Sequence, residues 1–171
     1  MAAGDVKMAY GTSTDLTVTN LHAIATSATW VGGWESAVID NTANLYLDYL
    51  LSGLIQVHDD AASAAASEIR IYVFSLVSDD AYPDVMDGTE SVETWTNTGY
   101  RDAVAKLAAV ILPATTQNLI YPWGQVSVAN LFGGVCPPKF GIFITHNTGV
   151  NLHTAGNVVT IQGVYNTVAA S

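Results

Sequence analysis

Ten consecutive residues, Glu68-Ile69-Arg70-Ile71-Tyr72-Val73-Phe74-Ser75-Leu76-Val77, limit the folds open to this chain more than any other segment. In an extended backbone Ile69, Ile71 and Val73 point to one side, and Arg70, Tyr72, Phe74 and Leu76 to the other. Both sides are largely apolar, so the strand has to be covered on two faces. The fold therefore needs a sheet with packed material in front and behind.

Other strand signals surround it. Residues 15–19 alternate polar and apolar, and residues 36–40 form a short strand pattern closed by Asn41. Residues 46–57 are a long apolar stretch where helical spacing competes; Gly53 and the β-branched residues beyond it favour strand. Segments 119–121, 125–128, 140–145 and 158–164 are further strand candidates. The last two are joined by an Asn- and Gly-rich connection, whose residues tolerate positive φ. Helix signals are few. Over 102–112, Val104, Leu107, Ala108 and Ile111 fit a 3.6-residue period with Pro113 as a stop, so a helix is expected, with strand as the competitor. Many short strands with Gly, Pro and Asn punctuation predict a mainly β sandwich or barrel with one or two short helices. No fixed-period repeat or linker divides residues 15–171, so they are expected to form one domain. Residues 1–14 are rich in small residues, end in Gly11-Thr12-Ser13-Thr14 and are expected to form an extended arm.

Composition narrows the function. Only 12% of the 171 residues are charged, about half the usual share. Either small polar residues cover the outside, or some of it is buried against other chains. Fifteen acidic residues face five basic ones, Lys7, Arg70, Arg101, Lys106 and Lys139, which form no run. Binding to a phosphate backbone needs clustered cations, so neither nucleic acid nor an anionic membrane surface is an expected partner. No apolar run reaches eighteen residues, so no membrane span is expected. The first ten residues lack a basic region followed by an apolar stretch and do not read as a secretory signal. Cytoplasmic synthesis is expected.

Chemistry-bearing patterns are sparse. Cys136 stands alone, so no internal disulfide forms, and a buried inert thiol is the expected state. Asp79, Asp80, Asp84, Asp87, Glu90 and Glu93 lie in a long acidic segment, 78–100, without EF-hand spacing. A solvated loop, a cation site and paired catalytic carboxylates are its three readings. His22, His58, His146 and His153 lack zinc spacing. No nucleophile-elbow, Walker or dinucleotide motif occurs. No catalytic residue, metal or cofactor is therefore expected. Trp30, Trp34, Trp95 and Trp123 belong to a core, a protein interface or a sugar platform. Trp95, in the polar context Glu93-Thr94-Trp95-Thr96-Asn97, is expected to be the exposed one. With Asp5, Lys7, Met8 and Tyr10 of the arm, it makes up the set of candidate partner-binding residues.

Several segments together carry a resemblance. They are Leu21-His22-Ala23-Ile24-Ala25-Thr26-Ser27-Ala28-Thr29-Trp30 with Gly33-Trp34, Asp40-Asn41-Thr42-Ala43-Asn44 with Asp48-Tyr49, and Tyr82-Pro83-Asp84-Val85-Met86-Asp87-Gly88-Thr89. Val126-Ser127-Val128-Ala129-Asn130-Leu131-Phe132-Gly133-Gly134 and residues 140–152, with His146-Asn147-Thr148-Gly149, complete it. The pattern resembles small virion proteins of tailed bacteriophages that decorate or cement the head. The resemblance implies a jelly-roll-like β-sandwich and a homotrimer seated on the capsid surface, with the major capsid protein as partner. It implies no catalytic residues. A receptor- or glycan-binding module of a fibre or spike is the alternative, and would need an exposed Trp or Tyr platform.

Overall fold

A computed structural model describes residues 5–58 and 61–168. The two-sided strand is there: β6 (Ile69–Ser75) has both faces buried through Ile71, Tyr72, Val73 and Phe74. It is flanked by β10 (Lys139–His146) and β8 (Ala105–Ile111). On the far side of β10 lie β3 (Gly32–Glu35) and the short β4 (Ile39–Asp40), and β7 (Ser91–Thr94) forms the edge beyond β3. These six strands make sheet two. Sheet one has the order β1 (Val6–Tyr10), β11 (Val158–Val168), β5 (Asp48–Gln56), β9 (Ile120–Ser127), with β2 (Thr14–Asp15) also on β11. Every pairing is antiparallel. The architecture is a mainly β, jelly-roll-like sandwich.

The main core lies between the sheets. Sheet two contributes Ile69, Ile71, Val73, Phe140, Ile142, Ile144 and Trp34; sheet one contributes Tyr49, Leu51, Ile55, Trp123 and Val159. The opposite face of sheet two carries a second core of Tyr72, Phe74 and Phe143 against Met86, Trp95 and Ala105. Trp95 stands edge-on to Phe74 and Phe143, with centroids 6.2 and 5.9 Å away. The acidic segment is thus a lid over sheet two. It contains β7 and leads into α1 (Thr98–Val104), whose N-terminus is capped by Asn97 Oδ1 accepting from the Tyr100 amide at 3.0 Å.

Three expectations need correction. Trp95 is 1% exposed, not a surface residue. Its neighbours are polar because Glu93 and Thr94 lie on the edge strand β7 and Thr96 and Asn97 on the exposed turn after it, while its own ring plugs the second core. The helix expected over 102–112 ends at Val104, and Ala105–Ile111 continues as β8 along β6. Here pairing with an apolar strand outweighs the helix preference of alanine. The strand expected over 15–19 is confined to Thr14–Asp15, and Thr19–Leu21 forms a 3₁₀ turn. The described part of the expected arm is extended, with residues 6–10 paired to β11 from Val6 opposite Val168 to Tyr10 opposite Val164. Residues 1–4 lie outside the described residues.

Close approach within sheet one depends on Gly53. Its neighbours across the ladder are Trp123 and Val159, and the Trp123 indole lies over it. A Cβ there would collide with the Val158 carbonyl oxygen and lie 2.8 Å from Trp123 Nε1. Gly53→Ala should therefore lower the free energy of unfolding by about 1–3 kcal/mol, read from denaturant melts.

Candidate interaction surface

The two sheets are covered unequally. Sheet two is buried on both faces at its central strands β6 and β10, while its edge strands β7 and β8 leave Val92, Leu107 and Val110 exposed; sheet one has the core on one face and, among the described residues, no second layer on the other. Its helices lie elsewhere: α1 packs on β8, and α2 (Val128–Leu131) on β5 and β8 at one end of the sandwich. The outward face follows from the register. Leu50, Ser52, Leu54 and Gln56 of β5 lie opposite Gln162, Thr160 and Val158 of β11 and opposite Ser127, Gly124, Pro122 and Ile120 of β9. Along β11 the row continues through Asn166 and Val168 to Met8 and Val6 of β1.

This face is nearly free of charge. Asp15 and Asp48 alone reach it among the described residues, and both are engaged. Asp15 accepts from the Thr160 hydroxyl at 2.6 Å, and Asp48 from the Ala129 amide at 2.7 Å. The remainder is Ser, Thr, Gln, Asn, Gly, Pro and aliphatic residues. Leu54 and Ile120 are 38% and 52% exposed.

At one end the sheet becomes a two-stranded ribbon. β5 pairs with β11 only as far as Val164, so residues 165–168 have β1 alone as a neighbour. Val6, Met8, Tyr10 and Val168 are each more than half exposed there. An isolated ribbon of two strands is marginal in water, and this one spends apolar side chains on solvent. Beside it Tyr10, Leu45, Tyr46, Leu47 and Tyr165 line an open groove of about 790 Å³. The loop carrying Leu45 is rigidly built. Asn41 donates from Nδ2 to the Tyr46 carbonyl and accepts the Tyr46 amide at Oδ1, both at 2.8 Å. It holds Leu45 at a φ of 51°, with 73% of the residue in solvent.

Of the expected partner-binding residues, the structure puts Lys7, Met8 and Tyr10 on the ribbon with Asp5 just before it, and Trp95 in the second core. Sequence reasoning missed Leu45, Leu47, Leu54 and Val168. Strand register is what exposes the last two, and single-residue patterns do not fix register. The strand of the ribbon was missed as well, and the signal that could have shown it is the alternation of Val6, Met8 and Tyr10 with Lys7 and Ala9.

The acidic segment is tied down rather than gathered. Glu90 accepts from the Asn20 amide at 2.7 Å and from Trp34 Nε1 at 2.6 Å. Asp84 accepts from the amide and hydroxyl of Thr96, Asp87 from the Thr89 amide, and Asp80 pairs with Lys139 at 3.1 Å. Among the described residues no three His, Cys, Asp or Glu side chains converge as a metal site. Cys136 is half-buried, and burial pushes its thiol up to about 12, so it stays protonated. Three tryptophans are buried, and the half-buried Trp30 has the Arg70 guanidinium 3.9 Å from its ring centroid. No exposed indole platform for a sugar results.

No family model and no curated protein matches the chain. Among solved structures, the infectious bursal disease virus VP2 subviral particle is similar over 99% of this chain, at 13% identity and a TM-score of 0.32. This chain spans 42% of that one, and a likeness of this degree does not bear on what the chain binds.

Glu35 and His146 give the molecule a pH signature. Glu35 is fully buried under the lid and accepts the Gly88 amide at 2.8 Å and the Asp87 amide at 3.3 Å. Burial pushes its carboxyl from 4.5 up to about 7 against those two hydrogen bonds, with Asp87 and Glu93 adding repulsion. The folded state thus holds a proton that the unfolded chain has released, and stability falls as pH rises from 4.5 to 7. His146 works in the opposite sense. Burial pushes it from 6.5 down to about 4, so stability falls as pH drops through that window. Glu35→Gln removes the first slope and leaves the second. Its melting temperature should gain on the wild type between pH 5 and pH 8, and should drop more steeply on acidification; a pH-independent difference would contradict this.

Proposed function

We propose that this chain is a non-catalytic structural protein of a virion that adheres to the outside of an assembled capsid through the outward face of sheet one. The observation that carries the reading is the uncovered, nearly uncharged face of that sheet, extended by an apolar ribbon, on a molecule of net charge −10. Contiguous apolar surface without a covering layer marks protein interaction sites. Depletion of charge at the centre is typical of the interior of an interface. The partner of this reading is the major capsid protein, as the resemblance to phage head decoration proteins implies.

The mechanism is linkage. A protein that binds only the assembled lattice stabilises that state by mass action. Copies that are joined to one another bind with higher effective concentration, which strengthens attachment without new contacts. The carboxylates lie mainly on the lid and the loops, where they steer approach towards basic patches on the shell and keep unbound copies apart.

The test is occupancy. Purified protein mixed with assembled shells, then imaged, should show density with sheet one facing the shell. Leu54→Asp sets a carboxylate in the middle of the face without touching the core. It should weaken binding by about tenfold or more, since burying an unpaired charge costs more than about 1.4 kcal/mol. Full occupancy by a folded Leu54→Asp variant, or wild-type density with the lid facing the shell, would contradict the proposal.

A further inference from the structure

Glycines inside strands leave bare backbone, and this chain covers them with rings. Five glycines lie within described strands away from the strand ends: Gly33 of β3, Gly53 of β5, Gly124 of β9, Gly141 of β10 and Gly163 of β11. A Cβ on Gly33 would meet the Phe143 ring, on Gly53 the Trp123 indole, on Gly141 the Phe74 ring and on Gly163 the Tyr46 ring. A flat ring restores the apolar contact that a strand loses where it has no side chain. Gly124 is the exception. The atoms nearest to a Cβ there are Ser52 Cβ, Ser52 Cα and the Leu51 carbonyl oxygen, and the glycine is exposed.

The bare spot is built into the sheet. β9 carries a bulge: Val126 pairs with Leu51 and Gly124 with Ser52, so Gln125 has no partner on β5. Gly124 adopts a φ of 140°, and a side chain on it would collide with Ser52, so glycine is required there. Over this pair lies a shallow depression of about 440 Å³, lined by Ser52, Pro122, Trp123, Gly124 and Gln125. No charged side chain lines it. It belongs to the outward face of sheet one, and Leu54, opposite Pro122, stands beside it.

We propose that this depression seats an aromatic side chain of the partner that sheet one adheres to, with the ring lying on Gly124 beside Pro122. The proposal deepens the reading of that face as the shell-binding surface and rests on it. Four strand glycines of the molecule carry a ring, and the fifth lies bare on a face that has no second layer among the described residues. A neutral lining on a chain of net charge −10 admits a ring and rejects a charged side chain, which would lose water without gaining a counter-charge. Ser52 and Gln125 in the lining offer a hydroxyl and an amide to a phenol hydroxyl. Aromatic anchors in small pockets carry much of the affinity of protein interfaces.

The probe is p-cresol, which has the ring and hydroxyl of a tyrosine side chain. Titrated into the free wild-type protein, it should shift the amide resonances of Ser52, Gly124 and Gln125 in a saturable way, with a Kd of about 1–10 mM. The amides of Gly133 and Gly134, exposed glycines outside the sheet, should not follow. The aliphatic probe 3-methyl-1-butanol should leave all of these amides in place at the same concentration. Ser52 stands opposite Gly124, so Ser52→Phe lays the chain's own ring on the glycine. This variant should lose the p-cresol response and attach to assembled shells about tenfold or more weakly than the wild type. Melting curves confirm that it is folded, and the wild-type titration stands without it. The absence of a saturable shift, equal shifts at Gly133 and Gly134, an equal response to the alcohol, or a folded Ser52→Phe that attaches like the wild type would overturn the proposal. A Gly124 shift that follows protein concentration alone would put a second copy's ring in the seat and overturn its assignment to the shell. The titration uses no shells, so failure of the seat is read apart from failure of capsid binding, which Leu54→Asp and imaging test.

Discussion

The two-sided burial of β6 is the constraint from which the remaining architecture follows. A strand with Ile71 and Val73 on one face and Tyr72 and Phe74 on the other is stable only between two layers. Sheet one supplies the first layer. The second is the acidic lid, which presses Met86 and Trp95 onto the strand and turns its carboxylates to amides, hydroxyls and Lys139. The buried Glu35 fastens the lid from beneath. A segment that reads as a charged loop is thus a structural layer, with Met86 and Trp95 inward and Asp79, Asp80, Asp84 and Asp87 exposed.

This arrangement leaves sheet one as the half-covered partner. Its inner face fills the main core, and its outer face meets no other element among the described residues. The residues there are not those of an ordinary wet face, which would carry lysine and glutamate. They are small, amide-bearing or aliphatic, and the low charged fraction of the chain is concentrated away from them. The low charge of the sequence and the bare face of the structure are one property seen at two levels.

Much of this was legible in the residues. β6, β10 and β11 follow from alternation and β-branching, and the mainly β class follows from the spacing of turns. Residues 105–111 resist because alanine carries little information about period, so pairing with β6 decides the outcome. Trp95 misleads because an edge strand before it and an exposed turn after it surround a buried ring with polar neighbours. The ribbon was half legible: the alternation of Val6, Met8 and Tyr10 is visible, but its pairing with the other end of the chain is a contact across about 160 positions that local pattern does not encode. The bare outward face depends on register throughout, since a slip by one residue would exchange it with the core.

The adhesive role of that face can be read directly by side-chain footprinting with hydroxyl radicals, on the free protein and on protein bound to assembled shells. The account predicts slower oxidation on binding at Leu54, Ile120, Met8 and Tyr10, with Tyr100, Val92 and Val85 on the lid side unchanged. Protection confined to the lid residues, with Leu54 and Ile120 as reactive as in the free chain, would contradict it.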